Sequence, residues 1–84
     1  MDIDKFKKDF RGISQPAMID YIYKNKQCLK EDLLNIGIKS RIERKKFACP
    51  HDLKRTIKYL LTIKFITEEE DHYKLNNNFT PKNQ

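Results

Sequence analysis

The sequence predicts an α+β, mostly helical domain, and three observations carry that expectation. Apolar residues recur at three- and four-residue spacing over most of the chain, the period of a helix with one buried face. One stretch near the C-terminus alternates apolar and polar residues instead, the period of a strand. Both glycines and two of the three prolines fall where periodic segments meet. Eighty-four residues make a single domain, taken as residues 1–79 with a flexible tail at 80–84. A chain this short buries about 60% of its unfolded surface, so its core is small.

The elements follow in order. Ile3, Phe6, Phe10 and Ile13 form an apolar stripe on a first helix, with Asp2 as its cap and Gly12 as its end. Ser14-Gln15-Pro16 opens a second helix that runs to about Asn25, because Ser accepts orphan N–H groups and Pro tolerates the first turn. Met18, Ile19, Ile22 and Tyr23 share its inner face, and Asp20 and Lys24 pair across one turn outside. Lys26-Gln27-Cys28 reads as a short extended link. A third helix spans Leu29 to Ile36, with Leu29, Leu33 and Ile36 inward and Gly37 as a left-handed terminator.

Ser40-Arg41-Ile42-Glu43 has the spacing of a capping box and predicts a short basic helical turn from about Arg41 to Phe47. Cys49-Pro50 breaks it and starts the next helix, to about Ile63, with Asp52 favourable at the positive end of its dipole. At about 100° per residue, Leu53, Ile57, Leu60 and Leu61 line its buried side, while His51, Arg55, Lys58, Tyr59 and Thr62 centre on the opposite side with Lys54 at the flank. Lys64-Phe65-Ile66-Thr67 and His72-Tyr73-Lys74-Leu75 read as two strands joined by the acidic turn Glu68-Glu69-Glu70-Asp71. Asn76 to Asn78 ends the order, with Phe79 as a last packing residue.

Charge is concentrated in one region. Between Lys39 and Lys64 stand nine basic residues and two acidic ones, a local charge of +7 in a chain whose formal net charge is +6. A concentrated positive field on a small domain points to a polyanion, duplex DNA first and RNA second. The competing reading is a solvated or protein-facing surface.

Other classes find little support in the residues. No apolar run approaches 18 residues, so no membrane span is expected, and Met1 to Lys5 has no apolar signal core, which points to an intracellular protein. Cys28, Cys49, His51 and His72 are spaced C-x20-C-x-H-x20-H, without the close pairs of zinc fingers, so no metal is expected. The two cysteines read as reduced, with a single disulfide between them as the other option. No glycine-rich phosphate loop, nucleophile–base pair or cofactor motif is visible, so the chain is not expected to be an enzyme.

From Pro16 to Leu75 the chain resembles the winged helix-turn-helix family. The resemblance is carried by Met18-Ile19-Asp20-Tyr21-Ile22-Tyr23-Lys24, by Leu33-Leu34-Asn35-Ile36-Gly37-Ile38, and by Leu53, Ile57, Leu60 and Leu61 running through Phe65-Ile66-Thr67 into the hairpin. It implies a winged fold with an extra N-terminal helix, a short basic turn and a two-stranded C-terminal wing. It also implies that the helix before the hairpin enters the major groove. On this chain that role falls to His51, Lys54, Arg55 and Lys58. Arg55 is then the base reader, since its fork can grip guanine at two atoms, and Tyr59 a stacking or phosphate contact. Phosphate affinity is assigned to Lys39, Arg41, Arg44, Lys45 and Lys46.

Two features depart from the family. About twelve residues separate the third helix from the long one, where a tight motif uses three or four. The wing tip carries four carboxylates that a phosphate backbone repels. The resulting expectation is a small DNA-binding transcriptional regulator. The alternative is a winged-helix interaction module of a larger assembly, one containing RNA or transcription proteins, without specific DNA binding. Ile3, Phe6 and Phe10 are read either as core or as the contact of a homodimer, whose two recognition helices would lie about 34 Å apart.

Overall fold

The computed structural model describes residues 2–10, 12, 14–43 and 50–79. Its elements in chain order are α1 (Ile3–Lys7), α2 (Ser14–Asn25), β1 (Gln27–Leu29), α3 (Lys30–Glu43), α4 (Pro50–Thr62), β2 (Ile66–Glu68) and β3 (His72–Leu75). The described residues thus form a small α+β domain of four helices and one antiparallel sheet, with strand order β1-β3-β2.

The core follows from the helical stripes. Met18, Ile19 and Ile22 of α2, Leu33 of α3 and Leu53, Ile57 and Leu60 of α4 close on one another, and Phe65, Ile66, Tyr73 and Leu75 seal them from the hairpin side. The stripe on α4 is the one the periodicity picks out, except that Leu61 is only half-buried and Thr56 is buried.

Helix α1 is shorter than its stripe suggests. Asp2 caps it, accepting from the Lys5 N–H at 3.2 Å, but the helix ends at Lys7 and Gly12 has no left-handed backbone. Five residues cannot sustain a helix alone. What holds this one is Phe6, buried and stacked on Phe65 with ring centroids 4.9 Å apart. Phe79 meets both rings edge-on, at 5.3 Å from Phe6 and 5.2 Å from Phe65. The stripe read as a dimer contact therefore packs on this chain's own core, with Ile3 and Phe10 half-buried against it. Ile13 lies outside the described residues. Lys7 also reaches Asp20 at 2.8 Å, so Asp20 is paired with α1 and not with Lys24 as the spacing suggests.

The third helix differs most from expectation. It runs straight through Gly37, which is buried and not left-handed. A Cβ there would stand 2.8 Å from Met18 Sδ and 2.9 Å from Leu53 Cδ2. Gly37 is therefore a point of close approach between helices, not a terminator. Ser40 is no N-cap; its hydroxyl donates back to the Ile36 carbonyl at 2.9 Å inside the helix. Arg41-Ile42-Glu43 is the last turn of α3 and not a separate basic turn, and the remainder of that expected turn, to Phe47, lies outside the described residues. The stretch expected to connect α3 and α4 is thus helical from Lys39 to Glu43, and its remainder up to Cys49 lies outside the described residues. Leu29 also turns outward, at 49% exposed, because it belongs to β1 and not to the helix face.

The expected extended link is a true strand. β1 pairs antiparallel with β3, with Cys28 opposite Tyr73, so the C-terminal hairpin is part of a three-stranded sheet and not the two-stranded element expected. In the hairpin, Ile66 faces Leu75 and Glu68 faces Tyr73. Asn76, expected to end the order, instead ties the hairpin to the end of α4. Its N–H donates to Phe65 O at 3.0 Å and its amide to Lys64 O at 2.7 Å.

The left-handed terminators fall on lysines. Lys26 (φ 71°) closes α2 with its N–H on Ile22 O at 2.9 Å. Lys64 (φ 68°) closes α4 in a Schellman pattern, its N–H on Leu61 O at 3.1 Å and that of Phe65 on Leu60 O at 3.0 Å. A Cβ in this conformation costs about 1–2 kcal/mol. Glycine removes that strain but adds unfolded-state freedom of about 0.4–1 kcal/mol. Lys64→Gly is therefore expected to stabilise the domain by up to about 1 kcal/mol, read as a higher urea midpoint at unchanged slope. A lower midpoint would contradict the cap geometry.

Candidate nucleic-acid interface

Helix α4 presents the polar side expected of it. His51, Lys54, Arg55, Lys58 and Tyr59 are all exposed, opposite the buried Leu53 and Leu60. Around the helix axis, Lys58 and His51 stand near the centre of this face, Arg55 and Tyr59 on one flank and Lys54 on the other. Lys54 and Lys58 have no ion-pair partner among the described residues. Arg55 Nη2 lies 3.5 Å from His51 Nε2, one turn earlier. Such a face can supply two point charges and one planar fork to an anion.

Of the basic residues expected to extend this face from the preceding segment, Arg41 joins it. Its Nε donates to the buried Ser14 hydroxyl at 3.3 Å, which holds the guanidinium at the start of α2 and beside α4. Lys39 does not join it. It lies about 200° around α3 from Arg41, on another flank, and its ammonium stands 4.0 Å from Glu43. Arg44, Lys45 and Lys46 lie outside the described residues.

Arg41, Arg55 and Tyr59 also line an open cleft of about 500 Å³ with Phe10, Gln15 and Asp52; Asp9 and Thr56 complete its wall. Phe10 meets Tyr59 edge-on at 5.9 Å. The floor is a closed hydrogen-bond set. Gln15 Nε2 donates to Thr56 Oγ1 at 3.0 Å, that hydroxyl donates to Asp52 O at 3.2 Å, and Gln15 Oε1 accepts from the Gly12 N–H at 3.1 Å. Sequence reasoning missed Ser14, Gln15 and Thr56 as parts of this face. Nothing local marks them, because their partners are 27 and 41 positions away.

The turn between β2 and β3 is acidic. Glu68 pairs with Lys30 at 3.0 Å. His72 Nδ1 lies 2.9 Å from Asp71 and its Nε2 3.7 Å from Glu69. The hydrogen bond with His72 holds the Asp71 carboxyl below the usual carboxylate range. Behind it, burial raises the Tyr73 hydroxyl, and burial, helped by Asp32, pushes the Cys28 thiol up to about 11. Cys28 is thus free but held as a neutral thiol, a poor nucleophile. Cys49 lies outside the described residues. On α1, Lys7 is held above the ordinary lysine value, chiefly by its hydrogen bond to Asp20.

Among the described residues, no helix is long and apolar enough to cross a membrane. No family model matches the chain, and neither a curated protein nor a solved structure matches it.

Proposed function

We propose that this is a winged-helix protein that binds duplex DNA through the outer face of α4 and acts as a transcriptional regulator by occupancy, without chemistry. The order helix, strand, helix, helix, hairpin supports the winged reading. The observation that carries the binding reading is the exposed cationic face of α4, with Lys54 and Lys58 bare of counter-charges among the described residues and Arg41 brought alongside. In this reading Arg55 meets base edges and Lys54 and Lys58 meet phosphates. Arg44, Lys45 and Lys46 extend the phosphate contacts.

The test is titration of random and selected duplexes at low and moderate salt. Micromolar, steeply salt-dependent binding is expected. Arg55→Ala should lose about 1–3 kcal/mol on a preferred site and relax specificity there. Lys58→Ala should weaken all sequences alike and lower the salt slope by about one ion. Both side chains are exposed, so neither change should unfold the protein. The same binding to duplex by both variants as by the parent would remove α4 from the interface.

One observation favours a second reading, docking on a larger assembly. The wing tip holds Glu68, Glu69, Glu70 and Asp71 together at the hairpin end, a poor neighbour for phosphate. Absence of duplex binding above background at low salt would support that reading over the first.

A further inference from the structure

The cleft between Phe10 and α4 is more than the margin of a cationic face. Its walls carry Arg41 and Arg55 but also Asp9 and Asp52, so the two signs are balanced. Asp9 and Asp52 are exposed and take part in no ion pair among the described residues. Among the described residues Arg55 has only the long contact to His51. Between these charges lies an aromatic wall, Phe10 against Tyr59. The floor is already satisfied by the Gln15–Thr56 hydrogen bond, so the polar groups left to meet a ligand are at the rim.

This arrangement excludes several ligands. A phosphate group approaching Arg55 here meets two carboxylates, and a bare cation meets two guanidinium groups. A purely apolar molecule would cover the rim charges without pairing them, which is costly. What complements an aromatic wall flanked by the Arg55 guanidinium and by the unpaired carboxylates of Asp9 and Asp52 is a small zwitterion with a flat apolar body. We infer that the cleft is a binding site for an aromatic zwitterion of the amino-acid class, its carboxylate on Arg55, its ammonium on Asp52 and Asp9, and its ring against Phe10 and Tyr59. The volume of about 500 Å³ lies within the ordinary range of small-molecule sites. Arg55 and Tyr59 also belong to the proposed DNA face, so an occupied cleft and a bound duplex exclude one another. Ligand binding itself does not depend on that reading.

The experiment is an NMR titration of the free 15N-labelled protein, without DNA. The probes are L-phenylalanine, benzoate, which lacks the ammonium, and phenethylamine, which lacks the carboxylate. L-phenylalanine should give saturable shifts centred on the amides of Phe10, Asp52, Thr56 and Tyr59, with a Kd of about 1 mM or tighter for a ligand of this size. Each single-charge analogue should bind at least about tenfold more weakly, as should the variants Arg55→Gln and Asp9→Asn/Asp52→Asn. These changes are at exposed positions, and unchanged spectra elsewhere verify the fold. Absence of saturable shifts would overturn the proposal, and so would equal binding of the analogues or parental binding by both variants.

Discussion

Phe65→Ala is expected to cost about 3–5 kcal/mol, the largest loss of any single truncation in this chain. At about 0.05–0.15 kcal/mol per residue, a domain of this length has about 4–13 kcal/mol to lose, so that cost is a large share of it. Phe65 is fully buried and stands where α4 turns into the hairpin. Its ring carries Phe6 on one side and Phe79 on another. Removing it therefore leaves a cavity and takes the anchor from both ends of the chain at once, α1 and the segment after β3. Urea unfolding should show a much lower midpoint. Proteolysis should cut near Lys5, Lys7 and Lys8 before the core opens, because a five-residue helix without its main anchor keeps only the Lys7–Asp20 pair and peripheral apolar contacts. Phe65→Leu keeps most of the volume and should cost clearly less. A loss under about 1 kcal/mol for the alanine variant would mean that the aromatic cluster is not the joint described.

That cluster illustrates what was legible in the sequence. The apolar character of Phe6, Phe65 and Phe79 is plain, and the stripe over the first residues predicts an amphipathic helix. Periodicity cannot say what such a stripe meets, and a second copy of the chain was as good a partner as Phe65. The long helix was legible to within a residue, because Leu53, Ile57 and Leu60 repeat over three turns and Pro50 marks the start. The hairpin was legible from the alternation of Tyr73 and Leu75 across an acidic turn. β1 was not, since three residues, Gln27 to Leu29, show no alternation that a link would lack; β3 makes them a strand by pairing with them. The left-handed caps were invisible because lysine has no preference for that conformation, and the two glycines that do were needed elsewhere. Of the interface, the exposed side of α4 was legible as the complement of its buried stripe. The place of Arg41 beside it was not, because a hydrogen bond to Ser14 decides it. Nor was the cleft, which four separate segments build.

Gly37→Val should be the second most damaging change, and it separates two accounts of the same glycine. If Gly37 were only a weak link in a helix, a larger residue would cost little or even help, since glycine is about 1 kcal/mol poorer than alanine in a helix interior; if it were a left-handed terminator, the cost would be backbone strain that no change in a neighbouring side chain relieves. The structure places it instead where α3 lies against α2 and α4. The site for a Cβ is 2.8 Å from Met18 Sδ and 2.9 Å from Leu53 Cδ2, and both side chains are fully buried. Even alanine must push one of them aside, so its propensity gain is opposed by overpacking of about 1–3 kcal/mol. Valine adds two more methyl groups and is expected to cost about 3 kcal/mol, seen as a lower urea midpoint. Trimming the obstruction should recover part of the loss. In a double-mutant cycle, Leu53→Ala with Gly37→Val should be more stable than the sum of the single changes implies, by about 1 kcal/mol or more. Additive costs would mean the two residues do not touch. The consequence reaches the exposed face as well. Leu53 is the inner side of the helix whose outer side carries Lys54, Arg55 and Lys58, so a wedge at Gly37 that α4 accommodates by moving also shifts Arg55 relative to Arg41. A valine variant that remains folded should therefore lose the chemical-shift pattern of Thr56 and Tyr59 before it loses that of the hairpin, because β2 and β3 are held by their own ladder and by Asn76.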